Sequence, residues 1–382
     1  MASGFCPSVL YNIAEVANGN APGRKVQISG FLQMLMCCQD SNASILQNTY
    51  DGGHYKTATV KYRTRPLTSI VQSEDDCDIN ALPTYSEYTI PALSHKQVSF
   101  FIPNSTIYQY CQDVSNMRSV GQPPTRIMNE IYDTFIDHVN ALLGSLDSGL
   151  VTSMATQFGL NKGSNSTLTF LNINQNGDTL NLQNGVVQLL RDIQENEICG
   201  DLCIVGGGIW SGYDMSLAAQ CCNAAGMDLS RIGIPRFFFD KNTQTTWGTN
   251  QIGVFAPGSV KFLSRLKYEK EAFSGQQGTS FFTTMRFPVS EFNNCNVECL
   301  NDLTFDVQFK FIDCPTTVTV NGANQTQGPG WQVIIGIDYA LYVQPTNLYN
   351  ASDPLALTNG TWKYVVGNST YSGGAYGGYA GY

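Results

Sequence analysis

The side chains that ordinarily do chemistry are sparse in this chain. There are three histidines, His54, His95 and His138, and none stands in a recognisable pairing with a nucleophile. His138 lies beside a row of apolar residues at helical spacing, which predicts a packed or half-exposed histidine and not a general base. Two Cys-x₃-Cys pairs, Cys199/Cys203 and Cys295/Cys299, each have the local spacing of structural zinc ligands, so four thiolates could surround one ion. A long, well-patterned stretch separates the two halves, however, and Cys203 opens an apolar strand in which cysteine acts as a small hydrophobe. Buried free thiols are expected there, and no metal. Gly206-Gly207-Gly208 after a strand is like the start of a dinucleotide loop, but Ser211 stands where G-x-G-x-x-G needs its third glycine, and no repeating βαβ pattern surrounds it. A tight turn is the expectation. GGIWSGYD around Ser211 lacks the spacing of a G-x-S-x-G elbow, and no P-loop, HExxH or EF-hand pattern occurs. The chain is therefore expected to have no catalytic residues and no cofactor, and not to be an enzyme.

Charge placement is more informative. Lys61, Arg63 and Arg65 occupy alternate positions, hence one face of a strand, while Glu74, Asp75, Asp76 and Asp78 crowd a nearby polar tip. A solvated face would make ion pairs worth under about 1 kcal/mol each. A contact with a neighbouring subunit would instead use these charges to set register and orientation. An extended hairpin without a core of its own is marginal in isolation. That favours the second reading and makes these seven residues the candidate intersubunit contacts.

Composition bounds what such a subunit could be. The chain has 382 residues, 42% hydrophobic and only 13% charged, against about 25% charged for an average domain. So little charge implies that much surface is covered, most simply by large interfaces. The net charge of −9, from 21 basic and 30 acidic residues, argues against a sequence-reading nucleic-acid binder. It leaves room for a container of nucleic acid. No basic-then-apolar leader opens the sequence, and no uncharged apolar run is long enough for a membrane span. The twelve cysteines, without the dense spacing of a secreted scaffold, point to a reducing compartment. Asn-x-Ser/Thr triplets at Asn42, Asn104, Asn165, Asn324, Asn350, Asn359 and Asn368 read as products of composition.

The elements that must position these residues are α+β in order. An arm-like stretch, with an apolar run at Val26–Leu35, gives way near Lys56 to a long excursion. Its outgoing strand carries the basic row, and its return is placed at Gln97–Ile102. Pro123 and Pro124, with Thr125 as a cap, open a helix to Leu143 whose buried stripe is Ile127, Ile131, Phe135, Val139 and Leu142. Short strands at Leu168–Leu171 and Leu180–Leu182 flank Asn176-Gly177. A helix is predicted over Gly185–Gln194, a buried strand over Leu202–Val205, and a second, alanine-rich helix over Met215–Gly226. In IGVFAPGSVKFL, Ile252–Phe255 and Val260–Leu263 are predicted to form a hairpin about Pro257-Gly258, a type II turn signal. Long strands follow at Thr304–Phe311 and Gln332–Val343. The last twelve residues, with four tyrosines among glycines, read as a mobile end.

This order resembles the major capsid proteins of tailed double-stranded DNA phages, with the Hong Kong 97-type fold. VKYRTRPLTSIVQSEDDCDINALPTYSEYTIPALSHKQVSFFI resembles that family's extended loop, and PTRIMNEIYDTFIDHVNALLGSL its spine helix. GVVQLLRDIQENEICGDLCIVGGGIW with YDMSLAAQCCNAAG is similar to its axial domain. FFFDKNTQTTWGTNQIGVFAPGSVKFL and WQVIIGIDYALYVQP resemble later segments of such coats.

The resemblance implies an N-terminal arm over 1–55, an extended loop over 56–103 and a peripheral domain with spine helix over 104–184. An axial domain over 185–300, returning peripheral strands over 301–365 and a Gly/Tyr tail over 366–382 complete it. It further implies a virion protein assembled in the host cytoplasm into hexamers and pentamers of an icosahedral shell. Its partners would be a portal, a separate scaffolding protein and packaged DNA held without sequence-specific contact, with no membrane. With an arm-like segment directly after Met1, little room is expected for a large N-terminal scaffolding domain, and no covalent cross-link is expected. An encapsulin-like nanocompartment shell, or a tail or decoration protein, would share many of these features.

Overall fold

The computed structural model describes residues 26, 28–37, 43–51, 54–63, 85–90, 93–109, 125–159, 168–172, 189, 202–208, 236–248, 250–256, 258–266, 275–277, 280–286, 303–313, 316–320, 323–345 and 359–367. In chain order these begin with helix α1 (Gly30–Cys37) and strands β1 (Ala43–Asp51), β2 (His54–Arg63), β3 (Tyr85–Ile90) and β4 (Ser94–Pro103). Helix α2 (Thr125–Ala155) comes next, then β5 (Leu168–Asn172), β6 (Cys203–Gly206), β7 (Arg236–Phe239), helix α3 (Lys241–Thr246), β8 (Gln251–Phe255) and β9 (Val260–Arg265). The chain continues through β10 (Gly275–Gln277), β11 (Ser280–Arg286), β12 (Thr304–Ile312), β13 (Thr316–Val320), β14 (Ala323–Gln327), β15 (Gly330–Val343) and β16 (Thr361–Gly367).

β15 organises the larger sheet. Its run of valine, isoleucine and aromatic residues is buried along nearly its whole length, as a strand covered on both faces requires. β4 pairs along one side of it, while β12 and then β9 pair along the other; β11 and β10 extend the sheet beyond β12. A second, five-stranded sheet runs β5-β16-β8-β6-β7, antiparallel in its middle and parallel at both ends. β1, β2 and β3 form a separate three-stranded antiparallel sheet.

α2 is longer than its sequence stripe suggests. It continues to Ala155 because the buried row does not stop at Leu142 and Leu143 but goes on through Leu146, Leu150, Val151 and Met154. Ile131, Phe135, Val139 and Leu142 are buried as expected. Phe135 meets Phe100 of β4 edge-on at 4.9 Å, which lays the helix across the large sheet. At its far end the indole of Trp247 donates to the Val151 carbonyl (3.0 Å), fastening α2 to the residue that closes α3.

Three sequence expectations change. A turn forms at Gly258: Ser259 N–H donates to the Ala256 carbonyl (3.1 Å), and Gly258 takes φ +77°. Yet β8 pairs with β16 and β6, and β9 pairs with β15, so the expected hairpin is a crossing between two sheets. The physical reason is that type II turns twist against the strand twist and splay the strands they join, whereas hairpins favour the mirror-image turns.

The return of the excursion is β3, which pairs with β2; Gln97–Ile102 lies within β4 and pairs with β15 instead. The excursion is also three-stranded, because β1 from the preceding stretch joins it. Finally, Cys203, expected as a buried free thiol, is buried and disulfide-bonded, so its sulfur is not a thiolate ligand either. The segments 180–182, 185–188, 190–194 and 215–226, and the tail beyond 367, lie outside the described residues.

Candidate assembly site

The root of the three-stranded sheet is a small apolar cluster. Val60 of β2 and Ile90 of β3 pack with Leu263 of β9 and with Ala340 and Tyr342 of β15, and Leu93 lies against the group. Tyr88 meets the Tyr342 ring at 6.0 Å, with the ring planes inclined at 61°. Period-two alternation makes this inevitable: once Val60 faces the body, Thr59 and Lys61 face the other way, and their partners Thr89 and Glu87 share that outer face. The hydroxyls of Thr59 and Thr89 approach to 3.4 Å across it. Glu87, Tyr88 and Thr89 are exposed.

Of the expected intersubunit residues, Lys61 is half-buried on this outer face, opposite Glu87 in the ladder. Arg63 pairs in register with Tyr85, and its side chain lies outside the described residues, as do Arg65, Glu74, Asp75, Asp76 and Asp78. The basic row and acidic tip are therefore not brought together among the described residues. Glu87 was missed by sequence reasoning because the return strand was sought too far along the chain. The signal was present in YSEYTI, where Tyr88 and Ile90 alternate with Glu87 and Thr89 between Pro83 and Pro91.

At the edge of the large sheet, His95 is exposed, and its Nδ1 lies 2.5 Å from the Asp338 carboxylate with its Nε2 3.2 Å from Gln97. Arg265, buried, lies 4.0 Å from the other oxygen of Asp338. His138 is half-buried, its Nδ1 2.7 Å from the Thr134 carbonyl and its ring 4.5 Å from that of Phe100, as a packed histidine would be. Gly206 accepts a hydrogen bond from Asp240 N–H (2.9 Å), and the Gln244 side chain packs on Gly207, so the glycine run seats α3.

That seat carries two buried carboxyls that sequence reasoning also missed. Asp147 sits on the inward face of α2, four residues past Leu143 and three before Leu150, and is fully buried. Asp240 caps α3, accepting from Asn242 N–H (2.7 Å). Both reach the first turn of α1: Phe31 N–H donates to Asp240 (2.8 Å) and Leu32 N–H to Asp147 (3.1 Å). The Asn242 amide donates to the second Asp147 oxygen at 2.6 Å. Burial, and then the charge of Asp240 beside it, push the Asp147 carboxyl up to about 7; a hydrogen bond between the two carboxyls acts in the same direction, while those from Asn242 and Leu32 oppose it. Asp147 therefore holds its proton at mildly acid pH. Both groups are sealed from solvent by apolar neighbours, which suits a structural lock better than a reaction centre. The signals were an aspartate in register with the apolar stripe of α2 and an Asp-x-x-Thr cap before α3.

α1 itself is held mainly by apolar burial. Phe31, Leu32, Met34 and Leu35 are all buried, each worth about 1.5–3 kcal/mol, against about 1 kcal/mol for a cap. Phe31 packs against Trp247 and Phe255, each at 5.7 Å.

No protein-family model matches the chain, and no curated protein matches it. Among solved structures it is similar to phage capsid proteins. Against the capsid structure of cyanophage P-SCSP1u it has 10% identity over 92% of each chain, with a TM-score of 0.43. Against a Mycobacterium phage Cain structure it has 14% identity over 94% of this chain and 98% of that one, with a TM-score of 0.40. A virus-like particle from Pyrococcus furiosus is similar at 9% identity over 94% and 96% of the two chains, with a TM-score of 0.35.

Proposed function

We propose that this chain is a structural major capsid protein that self-assembles into an icosahedral shell enclosing double-stranded DNA. The observation that carries the reading is the placement of the projecting sheet. β1–β3 is rooted on β9 and β15 by a small apolar cluster, and β3 turns exposed Glu87 and Thr89, opposite Lys61 and Thr59 of β2, away from that cluster. A three-stranded layer held to the body by so small a cluster gains further stability when a neighbour covers its other face. The 31-residue α2 stiffens the sheet from which this layer springs. Low overall charge supports the same reading, because surface that is covered in an assembly needs few charges for solubility.

In this reading the work is mechanical. Each projecting sheet lies on an adjacent subunit, closed symmetry repeats every contact around hexamers and pentamers, and charges such as Lys61 and Glu87 set register. A portal and a separate scaffolding protein complete assembly in the host cytoplasm, and the acidic balance keeps the shell from gripping its DNA. Electron microscopy of the protein expressed alone, with light scattering on the same sample, tests this. Closed polyhedral shells of uniform size are expected. A discrete small oligomer that stays small when supplied with phage scaffolding protein would overturn it, and shells filled with a second protein would reassign the contents.

A further inference from the structure

The junction of α1 with the body is built around a carboxyl pair that the shell reading does not use. Asp147 comes from α2 and Asp240 from the start of α3, and each accepts one of the first free N–H groups of α1, from Leu32 and Phe31 respectively. A helix N-terminus leaves such donors without intrahelical partners, and here two distant segments supply the acceptors. The approach is tight: a Cβ on Gly30 would collide with the Phe239 carbonyl. We infer that Asp147, set beside Asp240, acts as a proton latch that clamps α1 while Asp147 holds its proton and loosens the first turn of α1 when that proton leaves.

The surroundings explain why the proton matters. With both carboxyls ionised, two negative charges face each other in a buried site, and like charges so placed repel strongly. The ionisable groups on the elements packed here offer little relief. α1 carries no acidic residue in its first turn and no basic residue in its last. α3 offers Lys241, which is exposed, and β6 offers Cys203, which is disulfide-bonded; the side chain of Arg236 on β7 lies outside the described residues. β9 offers Lys261 and Arg265, the latter directed to Asp338. On α2 itself Glu130, Asp133, Asp137 and His138 lie two or more turns away from Asp147. β4 and β15, against which α2 packs, present His95, Lys96, Asp338 and Tyr339; Lys96 bonds Ser145 at 3.2 Å, and β8 has no ionisable side chain. The groups acting on Asp147 are Asp240, Asn242 and the Leu32 N–H, and none of these is a cation. The apolar anchor of Phe31, Leu32, Met34 and Leu35 keeps α1 from leaving altogether, so the expected motion is fraying of its first turn.

Hydrogen exchange on the full chain, read by mass spectrometry over residues 29–37 at pH 6 and pH 8, tests the latch. After correction for intrinsic rates, exchange at pH 8 is expected to be about tenfold faster than at pH 6, the change that accompanies one pH unit past the transition. In D147N, neutral at both pH values, this pH dependence is expected to vanish. Because D147N could fail to fold, infrared difference spectra of the native chain supply a second reading. The carbonyl stretch of a protonated carboxylic acid should be present at pH 6 and absent at pH 8. Equal corrected exchange at the two pH values, a pH dependence that survives D147N, or no carboxylic acid titrating in that interval would each overturn the inference.

Discussion

The backbone of Gly30 lies directly against the carbonyl oxygen of Phe239, with no room between them for a side chain. The contact sets how deeply α1 enters the junction of the two sheets and brings Phe31 N–H within reach of Asp240, the residue after Phe239. Gly30→Ala must push α1 outward against rigid backbone, at an expected cost of about 1–3 kcal/mol. The matched control is Gly144→Ala on α2, where a Cβ meets nothing within 4 Å. There the better helix propensity of alanine should add up to about 1 kcal/mol. Urea titrations of the two variants should shift in opposite directions; equal shifts would mean that the tight approach has no energetic weight.

The carboxyl pair gives stability a pH dependence of definite sign. Asp147 rises in the folded chain from an ordinary value of 3.8 to about 7, so between those values the native state binds the extra proton. Stability contributed by this group is therefore full below about pH 4, declines as pH rises towards 7, and levels off above it. Asp147→Asn should flatten that decline while leaving the rest of the pH profile intact. The measurement is the urea midpoint at intervals across the range, and a midpoint that rises from pH 4 to pH 7 in the native chain and not in the variant would refute the assignment.

What was legible in the sequence is the part dictated by local periodicity. The inward stripe of α2, the strands β12 and β15 and the type II turn at Gly258 follow from spacing and turn chemistry alone. Partner choice was not legible. The type II signal at Pro257-Gly258 was read as a hairpin although such turns splay their strands. Which sheets β8 and β9 would join was not legible, nor did alternation reveal that β2 takes β3 and β1 as neighbours. The strand β16, TWKYVVG, and the hairpin β13–β14 around Asn321-Gly322 carried ordinary strand and turn signals. They went unread beside stronger runs. The carboxyl pair was hidden for a different reason: Asp147 and Asp240 meet only in the tertiary fold, and each alone looks like a helix residue or a cap.

Gly258 offers a test of the crossing between sheets. At φ +77° a residue with a Cβ pays about 1–2 kcal/mol, so Gly258→Ala should be less stable by that much. Replacing Pro257-Gly258 with Asn-Gly, which favours the tighter hairpin turn, should cost more, because it would pull β9 away from β15. If the Asn-Gly chain is as stable as the native one, the splayed geometry of the turn is not what separates the two sheets.

The projecting sheet yields the prediction closest to function. Charge reversal of the basic row, Lys61, Arg63 and Arg65 all to Glu, leaves the Val60–Ile90–Tyr342 root untouched. Exposed pairs on one such face are each worth under about 1 kcal/mol to the subunit itself, so its melting temperature should stay within a few degrees of native. In an assembly every subunit repeats the change, and the small terms act together on register. Electron microscopy should then show aberrant or absent shells from a folded subunit. Glu87→Lys added to the triple variant restores opposite charges at positions 61 and 87. If that alone rescued closed shells, the register of β2 on β3 would be the sensitive element. If it did not, the reversed charges would act on the neighbouring subunit instead. Normal shells from the triple variant would remove these charges from assembly altogether.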